Sequence, residues 1–309
     1  QQVIEHVSGM SYQQFLQTRI FDKVGMAGTR YNADHLKPGD KAAVGHAKYD
    51  FKDLRTVAPL TWSNNAGAGG IYSSAHDMAR WMQVQLAEGK LADGTPLFSE
   101  KSQQQMWRMI TPQSIPAPSV PELAPARANF AGYGEGWSLS DYRGQKLVWH
   151  TGGWPGMVSR LTLVPGEKLG VVVLTNQEVG AAFNAITLSV LDAYLGGETH
   201  DWVDAYAKAV AKGQDKADEA WAKHQSARDK GSRPSLALAG YTGTFRDRWY
   251  GDMQVNGDGK GLRLRFARTA QLSGRLEHWQ HDTFIVRWDD RSLNADAFVN
   301  FSLDPDGKV

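Results

Sequence analysis

The sequence predicts an α+β protein, in which helices flank an antiparallel sheet and a small all-β, barrel-like domain follows. Three observations support this prediction. Residues 1 to about 110 show helical periodicity, residues 134–175 contain short β-type runs, and residues 236–309 return to β-type runs after a charged stretch. A length of 309 residues suits about two domains.

The N-terminal part is predicted to be mainly helical. Apolar residues recur at spacings of three and four between Tyr12 and Ile20, and Ser11 precedes them as a candidate N-cap. Ser74 and Asp77 have the spacing of a capping box, with Asp in place of Glu, ahead of a second amphipathic helix. Both helices therefore have one face for a core.

The middle of the chain changes from a helical to a strand period. Its turns are short, which indicates an antiparallel meander, and the glycine-rich stretch 152–156 is expected to be one of them. An apolar helix over residues 179–195 is long enough to cover one face of the sheet. The predicted strands are 137–139, 146–150, 158–164 and 169–175.

The last third of the chain divides into a polar helix and a β region. Residues 198–235 are rich in Ala, Lys and Asp and carry one narrow apolar stripe, which predicts a helical linker. Residues 236–309 contain β-type runs and a hairpin turn around Gly257. We therefore expect a first domain over 1–197, the linker over 198–235 and a small β domain over 236–309.

Composition excludes several classes of function. The 34 basic and 33 acidic residues leave a net charge of +1, which gives no field for nucleic acid or anionic lipid. The absence of Cys excludes disulfides and thiolate nucleophiles, and no cofactor motif or metal site is predicted. His278 and His281, the nearest approach to a metal pair, would point to opposite faces of a predicted strand, which favours surface histidines over metal ligands. The longest strongly apolar run falls far short of the ~20 residues of a membrane helix.

The two ends of the chain suggest a longer protein. The sequence begins at Gln1 inside a helical pattern without a capping residue, and it stops after a turn, at the start of a strand. We therefore expect a segment that precedes Gln1 to be a partner of this chain.

One segment combines groups that suit acyl chemistry. A predicted strand delivers His150 and Thr151, and Gly152 and Gly153 follow at once. Glycines at a strand end let a ligand approach the backbone, and a hydroxyl, an imidazole and free N–H groups together can bind an acyl group and its oxyanion. The alternative is a plain glycine-rich turn after an edge strand.

The same segment resembles a known family. Trp149-His-Thr-Gly-Gly-Trp-Pro-Gly-Met-Val-Ser159, followed by Leu163-Val-Pro-Gly-Glu-Lys-Leu-Gly-Val-Val-Val-Leu-Thr-Asn176, is similar to the serine β-lactamase-related family. That family includes class C β-lactamases, penicillin-binding proteins and esterases. Ala68-Gly-Gly-Ile-Tyr-Ser-Ser-Ala-His-Asp-Met-Ala-Arg-Trp81 and two earlier stretches agree in type and order, so the resemblance spans about residues 1–197. Leu238-Ala-Gly-Tyr-Thr-Gly-Thr-Phe245 resembles a small β domain often appended to such proteins.

The resemblance implies a β-lactamase/transpeptidase-like fold and a serine hydrolase with three motifs. Ser-x-x-Lys supplies the nucleophile and its base, Tyr-x-Asn assists proton transfer, and Lys-Thr-Gly edges the cleft. Only the third motif has a counterpart here, namely His150, Thr151 and Gly152, and Gly153 would supply an oxyanion N–H. The other two motifs normally precede the helix in which this chain begins, so their absence suggests truncation.

The resemblance also bears on substrate. His150 stands where the family often has Lys, a permanent cation suited to a substrate carboxylate, and His there is commoner in esterase and peptidase branches. This favours small-molecule or peptide esters and amides over β-lactams. The candidate substrate-binding residues are Tyr72, Tyr133, Trp137 and Trp154, with core packing as the alternative for Tyr133 and Trp137.

Two functional hypotheses follow from the sequence. The first is a serine hydrolase that forms an acyl-enzyme, with its nucleophile in the preceding segment. The second is a non-catalytic binding or scaffolding relative that kept the fold, which the absence of a Ser-x-x-Lys motif in this chain supports. A Ser-x-x-Lys upstream of Gln1 would distinguish them. Family habit favours export to the periplasm or beyond.

Overall fold

The computed structural model describes residues 1–61 and 63–309. The chain forms two compact units. The first comprises residues 1–47 and 56–214, and the second comprises residues 48–55 and 215–309. Among the described helices, none has both the length and the apolar composition needed to cross a membrane. The α-helices are α1 (Gln2–Ser8), α2 (Tyr12–Leu16), α3 (Asp22–Val24), α4 (Ala75–Leu86), α5 (Glu100–Met106), α6 (Gly180–Leu195) and α7 (Trp202–Ala227).

The first unit is built on an antiparallel six-stranded sheet of order β3-β4-β5-β6-β7-β8. The predicted α+β class with an antiparallel sheet and flanking helices is confirmed. The meander arises because most neighbouring strands follow each other in sequence through short turns. Its strands are β3 (Thr111–Pro112), β4 (Ala131–Tyr133), β5 (Ser138–Tyr142), β6 (Gln145–Trp154), β7 (Met157–Val164) and β8 (Leu169–Thr175).

The two faces of this sheet bury different apolar clusters. On one face Leu139, Val148 and Leu161 pack with Met82 of α4. On the other face the cluster includes residues of α6 and the start of α7, such as Leu191 and Trp202, and this confirms that the apolar helix covers one face. Because side chains alternate along a strand, β5, β6, β7 and β8 each contribute to both cores.

A hairpin in the N-terminal part was not expected from the helical pattern there. β1 (His46–Tyr49) pairs with β2 (Asp53–Thr56). Its turn uses Asp50 and Phe51 at φ of 53° and 59°, a left-handed conformation that normally calls for Gly or Asn. The prediction of mainly helical structure up to about residue 110 is therefore wrong for this segment.

The second unit contains a six-stranded antiparallel meander of order β14-β13-β12-β11-β10-β9. It is a half-barrel, which agrees with the barrel-like prediction, and Tyr241, Phe284 and Val286 lie in its core. Arg291 binds both Asp50 (2.5 Å) and Asp296 (2.6 Å) within this unit. The strands are β9 (Gly243–Asp247), β10 (Gly251–Gly257), β11 (Leu262–Phe266), β12 (Ser273–Gln280), β13 (Thr283–Trp288) and β14 (Ala297–Asn300).

The expected division at residues 197 and 235 stays a prediction. Helix α7 is continuous over Trp202–Ala227, and the two compact units divide within it, between residues 214 and 215.

Candidate active site on strand β6

Strand β6 continues through the glycine-rich segment that was expected to be a turn. Gly152 and Gly153 pair with Ser159 and Val158 of β7, and Trp154 pairs with Met157. The prediction of a turn over residues 152–156 is therefore wrong, because only Pro155 and Gly156 connect the two strands. The pairing with β7 outweighs the weak strand propensity of glycine.

The same segment has one unpaired backbone edge. Strand β5 pairs with β6 only as far as Trp149, opposite Ser138. From His150 to Trp154, β7 is the only partner of β6 among the described strands. Main-chain groups on the other edge are therefore available to a ligand, as in binding modes that add a strand to a sheet edge.

The imidazole of His150 is held at both nitrogens although the residue is exposed. Its Nδ1 lies 2.6 Å from the carbonyl oxygen of Thr151, and its Nε2 lies 3.1 Å from the hydroxyl oxygen of Tyr133. The two rings meet edge-on with centroids 6.0 Å apart. A carbonyl only accepts, so we assign the hydrogen of the neutral ring to Nδ1, and Tyr133 donates to Nε2.

The two glycines differ in the space above them. A Cβ at Gly152 would lie 2.6 Å from Oγ of Ser159, whereas a Cβ at Gly153 would meet no atom within 4 Å. A side chain at position 152 would thus require the side chain of Ser159 to shift, and Gly153 opens towards solvent. A ligand can approach the backbone closely at Gly153.

A cavity of about 230 Å³ lies against this part of the sheet. Four residues predicted for the site line it, namely Trp137, His150, Thr151 and Gly152. Trp137 is also part of the core, since it packs edge-on against Trp107 with centroids 6.5 Å apart. The remaining lining residues are Met78, Trp81, Gly136, Ser159, Arg160, Leu161, Val172 and Leu174.

Arg160 is a site residue that the sequence analysis missed. It pairs with Thr151 across β6 and β7. Its Nη1 donates to Oδ1 of Asn184 (2.6 Å), its Nε donates to Oγ1 of Thr162 (3.0 Å), and its guanidinium lies 4.3 Å from the ring centroid of Trp149. Burial lowers its pKa to about 10, against an opposing effect of Tyr206, so it remains a cation at neutral pH.

The other two predicted substrate-binding residues lie apart from the cavity lining. Burial raises the pKa of Tyr72, and the nearby side chain of Trp154 partly offsets this effect. Tyr72 also forms a backbone bridge with Arg30. The structure therefore brings Tyr72 and Trp154 to each other, and neither residue lines the cavity around His150.

The arrangement combines groups that can take part in acyl chemistry. It provides an imidazole, a hydroxyl, exposed glycine backbone and a largely buried cation within one pair of strands. Over residues 1–61 and 63–309, no group of three or more His, Asp or Glu side chains is placed to hold a metal ion. Backbone N–H groups next to a cavity are the usual means of stabilising an oxyanion.

Comparison with protein families gives two matches along the chain. A family model described as beta-lactamase matches residues 1–194, and a model described as a domain of unknown function (DUF3471) matches residues 227–309.

Curated relatives agree with the first match. An unguisins hydrolase of Aspergillus violaceofuscus is 26% identical over 99% of this chain and 57% of its own length. Penicillin-binding protein 4* of Bacillus subtilis is 27% identical over 64% of this chain and 42% of its own length. The chain thus spans about half the length of these relatives.

A solved structure agrees in fold. An octameric penicillin-binding protein homologue from Pyrococcus abyssi superimposes with a TM-score of 0.53 at 18% identity, over 96% of this chain and 57% of that one. At this identity the likeness shows the fold alone.

Proposed function

Because the chain belongs to the β-lactamase family, we propose that it forms the C-terminal part of a serine hydrolase that acts on ester, amide or lactam carbonyls. A serine would attack the carbonyl and form an acyl-enzyme, which water would then hydrolyse. The sequence contains no Ser-x-x-Lys and no Tyr-x-Asn, so the proposal assigns the nucleophile to a segment that precedes Gln1.

The observation that carries the proposal is the open edge of β6 beside the cavity. His150, Thr151 and Gly152 line the cavity, and the backbone of Gly153 is unobstructed. In the proposed mechanism the N–H of Gly153 and the N–H of the serine itself hold the oxyanion. His150 and Thr151 orient the distal polar group of the substrate.

The proposed substrates are esters and amides rather than β-lactams. His150 gives the strand an imidazole, which can both donate and accept a hydrogen bond, in place of a permanent ammonium. One relative is named as an unguisins hydrolase and another as a penicillin-binding protein, so the names support hydrolysis or acyl transfer and differ in substrate. A small-molecule or peptide substrate fits both.

The test uses the parent protein that includes the segment before Gln1, with a chromogenic ester such as p-nitrophenyl acetate. We expect a burst of nitrophenol and an acyl adduct in the intact mass. His150→Ala should lower kcat/KM by about 100-fold or more. His281→Ala, an exposed histidine in the second unit, is the matched control and should leave kcat/KM unchanged.

Two outcomes would contradict the proposal. Unchanged turnover in His150→Ala would remove His150 from the site. If no acyl adduct forms with any ester or amide tested, and the preceding segment lacks Ser-x-x-Lys, the chain belongs to a non-catalytic binding relative.

A further inference from the structure

The side chain of Tyr133 is bound directly to His150. Its hydroxyl is the partner of Nε2 of His150 at 3.1 Å, while Nδ1 is taken by the carbonyl of Thr151 at 2.6 Å. The neutral imidazole therefore has no nitrogen left for a ligand. Any proton transfer or hydrogen bond between His150 and a substrate has to displace Tyr133 or pass through it.

We propose that Tyr133 is a positioning residue for His150 and that its hydroxyl transmits the protonation state of the imidazole to the substrate. When the ring is neutral, the O–H of Tyr133 donates to Nε2. When Nε2 takes a proton from solvent, the new N–H donates to the oxygen of Tyr133, and the phenolic O–H is released to donate to a bound ligand. Loss of the same proton reverses the change, and no covalent bond forms or breaks besides those to that proton.

This reversal requires a histidine at position 150. An ammonium group has only donors, so beside a lysine the tyrosine would always accept and its O–H would always be free. An imidazole changes one nitrogen from acceptor to donor when it is protonated. The O–H of Tyr133 can therefore donate to a ligand when the imidazole of His150 is protonated, and it donates to Nε2 instead when the imidazole is neutral.

The charged side chains on and next to the neighbouring strands form hydrogen bonds with groups other than His150. Lys146 of β6 donates to the backbone oxygen of Trp107 at 3.1 Å, and burial lowers its pKa. Glu135, after β4, accepts from the side chain of Gln105 at 2.9 Å. Arg160 of β7 binds Asn184 and Thr162.

The charged groups on α4 also have partners of their own. Asp77 accepts from the backbone of Gly28 (2.9 Å), and Arg80 donates to the carbonyl of Gly25 (3.0 Å). His76 lies 3.4 Å from Asp77. Within the described residues, the hydrogen bonds of the His150 ring run to Tyr133 and Thr151.

The first experiment measures the tautomer of His150 by ¹⁵N NMR of the ring, with His150→Gln to assign its signals. Above the titration of the ring, we expect Nδ1 to carry the hydrogen and Nε2 to be unprotonated. In Tyr133→Phe the Nε2 signal should move towards that of a nitrogen without a hydrogen bond. In Tyr194→Phe, which alters an exposed tyrosine of α6, it should stay in place. A neutral ring protonated at Nε2 in the wild type would overturn the proposal.

The second experiment measures kcat/KM for the chromogenic ester between pH 5 and 9, and it rests on the proposed function. His150→Gln should remove an inflection from the curve of kcat/KM against pH. The same inflection should be absent in Tyr133→Phe and present in Tyr194→Phe. Tyr133→Phe should also lower kcat/KM by about tenfold. If Tyr133→Phe keeps the inflection, the imidazole acts on the substrate directly and the proposal is wrong. If the wild type hydrolyses nothing, the proposed function fails, and the NMR result alone decides whether Tyr133 positions His150.

Discussion

The guanidinium of Arg160 lies over the indole ring of Trp149, 4.3 Å from its centroid, beneath the strand pair that carries the candidate site. The same guanidinium is bound by neutral oxygens of Asn184 and Thr162. Arg160 is thus a largely buried cation whose side-chain hydrogen bonds, within the described residues, go to neutral groups. The free energy cost of burying such a charge is offset by few hydrogen bonds, so the loss of any one of them should be destabilising.

The dependence of Arg160 on Asn184 predicts a specific pattern in a double-mutant cycle. Asn184→Ala removes a 2.6 Å hydrogen bond to a buried cation, and we expect a loss of about 2 kcal/mol in the free energy of unfolding. In the background of Arg160→Met the same substitution should cost less than about 1 kcal/mol, because the charge is gone. Urea unfolding of the four proteins measures the difference. Equal losses in both backgrounds would show that the two residues are not coupled.

The order of β6, β7 and β8 was predictable because three β-type runs follow each other through short turns. The predicted strand over 169–175 has the observed bounds of β8. The extension of β6 through Gly152 and Gly153 was not predictable from propensity, since glycine favours a turn there and only the pairing with β7 makes it a strand.

The candidate site was predictable for residues in strand β6 and upstream of it, such as Trp137. His150, Thr151 and Gly152 are consecutive, so a motif reveals them, whereas Arg160 and Tyr133 reach the site through the pairing of strands. The signal for Arg160 was present in the sequence, because a two-residue turn at Pro155 and Gly156 places residue 160 opposite residue 151. Tyr133 was predicted as a candidate substrate-binding residue, but its contact with His150 had no such signal, since β4 and β6 are not adjacent in the sheet.

Asp192 should be a major determinant of stability in the first unit. It accepts from the hydroxyl of Tyr142 (2.5 Å) and the indole of Trp202 (2.8 Å), and it pairs with Arg143 (2.9 Å). Asp192→Asn removes a buried charge from these donors, and we expect a loss of about 3 kcal/mol in the free energy of unfolding. The exposed Asp34→Asn is the control and should change it by less than about 0.5 kcal/mol. A loss below 1 kcal/mol for Asp192→Asn, on the order of a neutral hydrogen bond, would contradict this role.

Asp141 predicts a pH dependence of stability. Burial raises its pKa, but hydrogen bonds from the side chain of Asn129 and the backbone of Phe130 and Asn129 outweigh burial, and the net pKa is lowered. A carboxyl with a lower pKa in the folded state binds protons more tightly when unfolded. Its contribution is therefore complete above the unfolded pKa, near 3.9, and is lost as the pH falls through the folded pKa.

The measurement for Asp141 is the urea midpoint between pH 2 and 7. Wild type should exceed Asp141→Asn by a constant amount above about pH 5, and the difference should shrink as the pH falls below about 4. A difference that stays constant down to pH 2 would mean that the contribution of Asp141 does not depend on the ionisation of its carboxyl group, which would contradict the lowered pKa.

Gly152 and Gly153 should respond differently to the same substitution. Neither has a positive φ, so alanine is compatible with the backbone at both positions. A Cβ at Gly152 would lie 2.6 Å from Oγ of Ser159, whereas a Cβ at Gly153 would meet open space. Gly152→Ala should therefore destabilise the protein by about 1–3 kcal/mol, and Gly153→Ala should change stability by less than about 0.5 kcal/mol. The double variant Gly152→Ala/Ser159→Gly should regain most of the loss, because it removes the crowding atom. Thermal unfolding of the wild type and the three variants measures these differences in stability. A double variant no more stable than Gly152→Ala would show that crowding against Ser159 is not the reason for glycine at position 152.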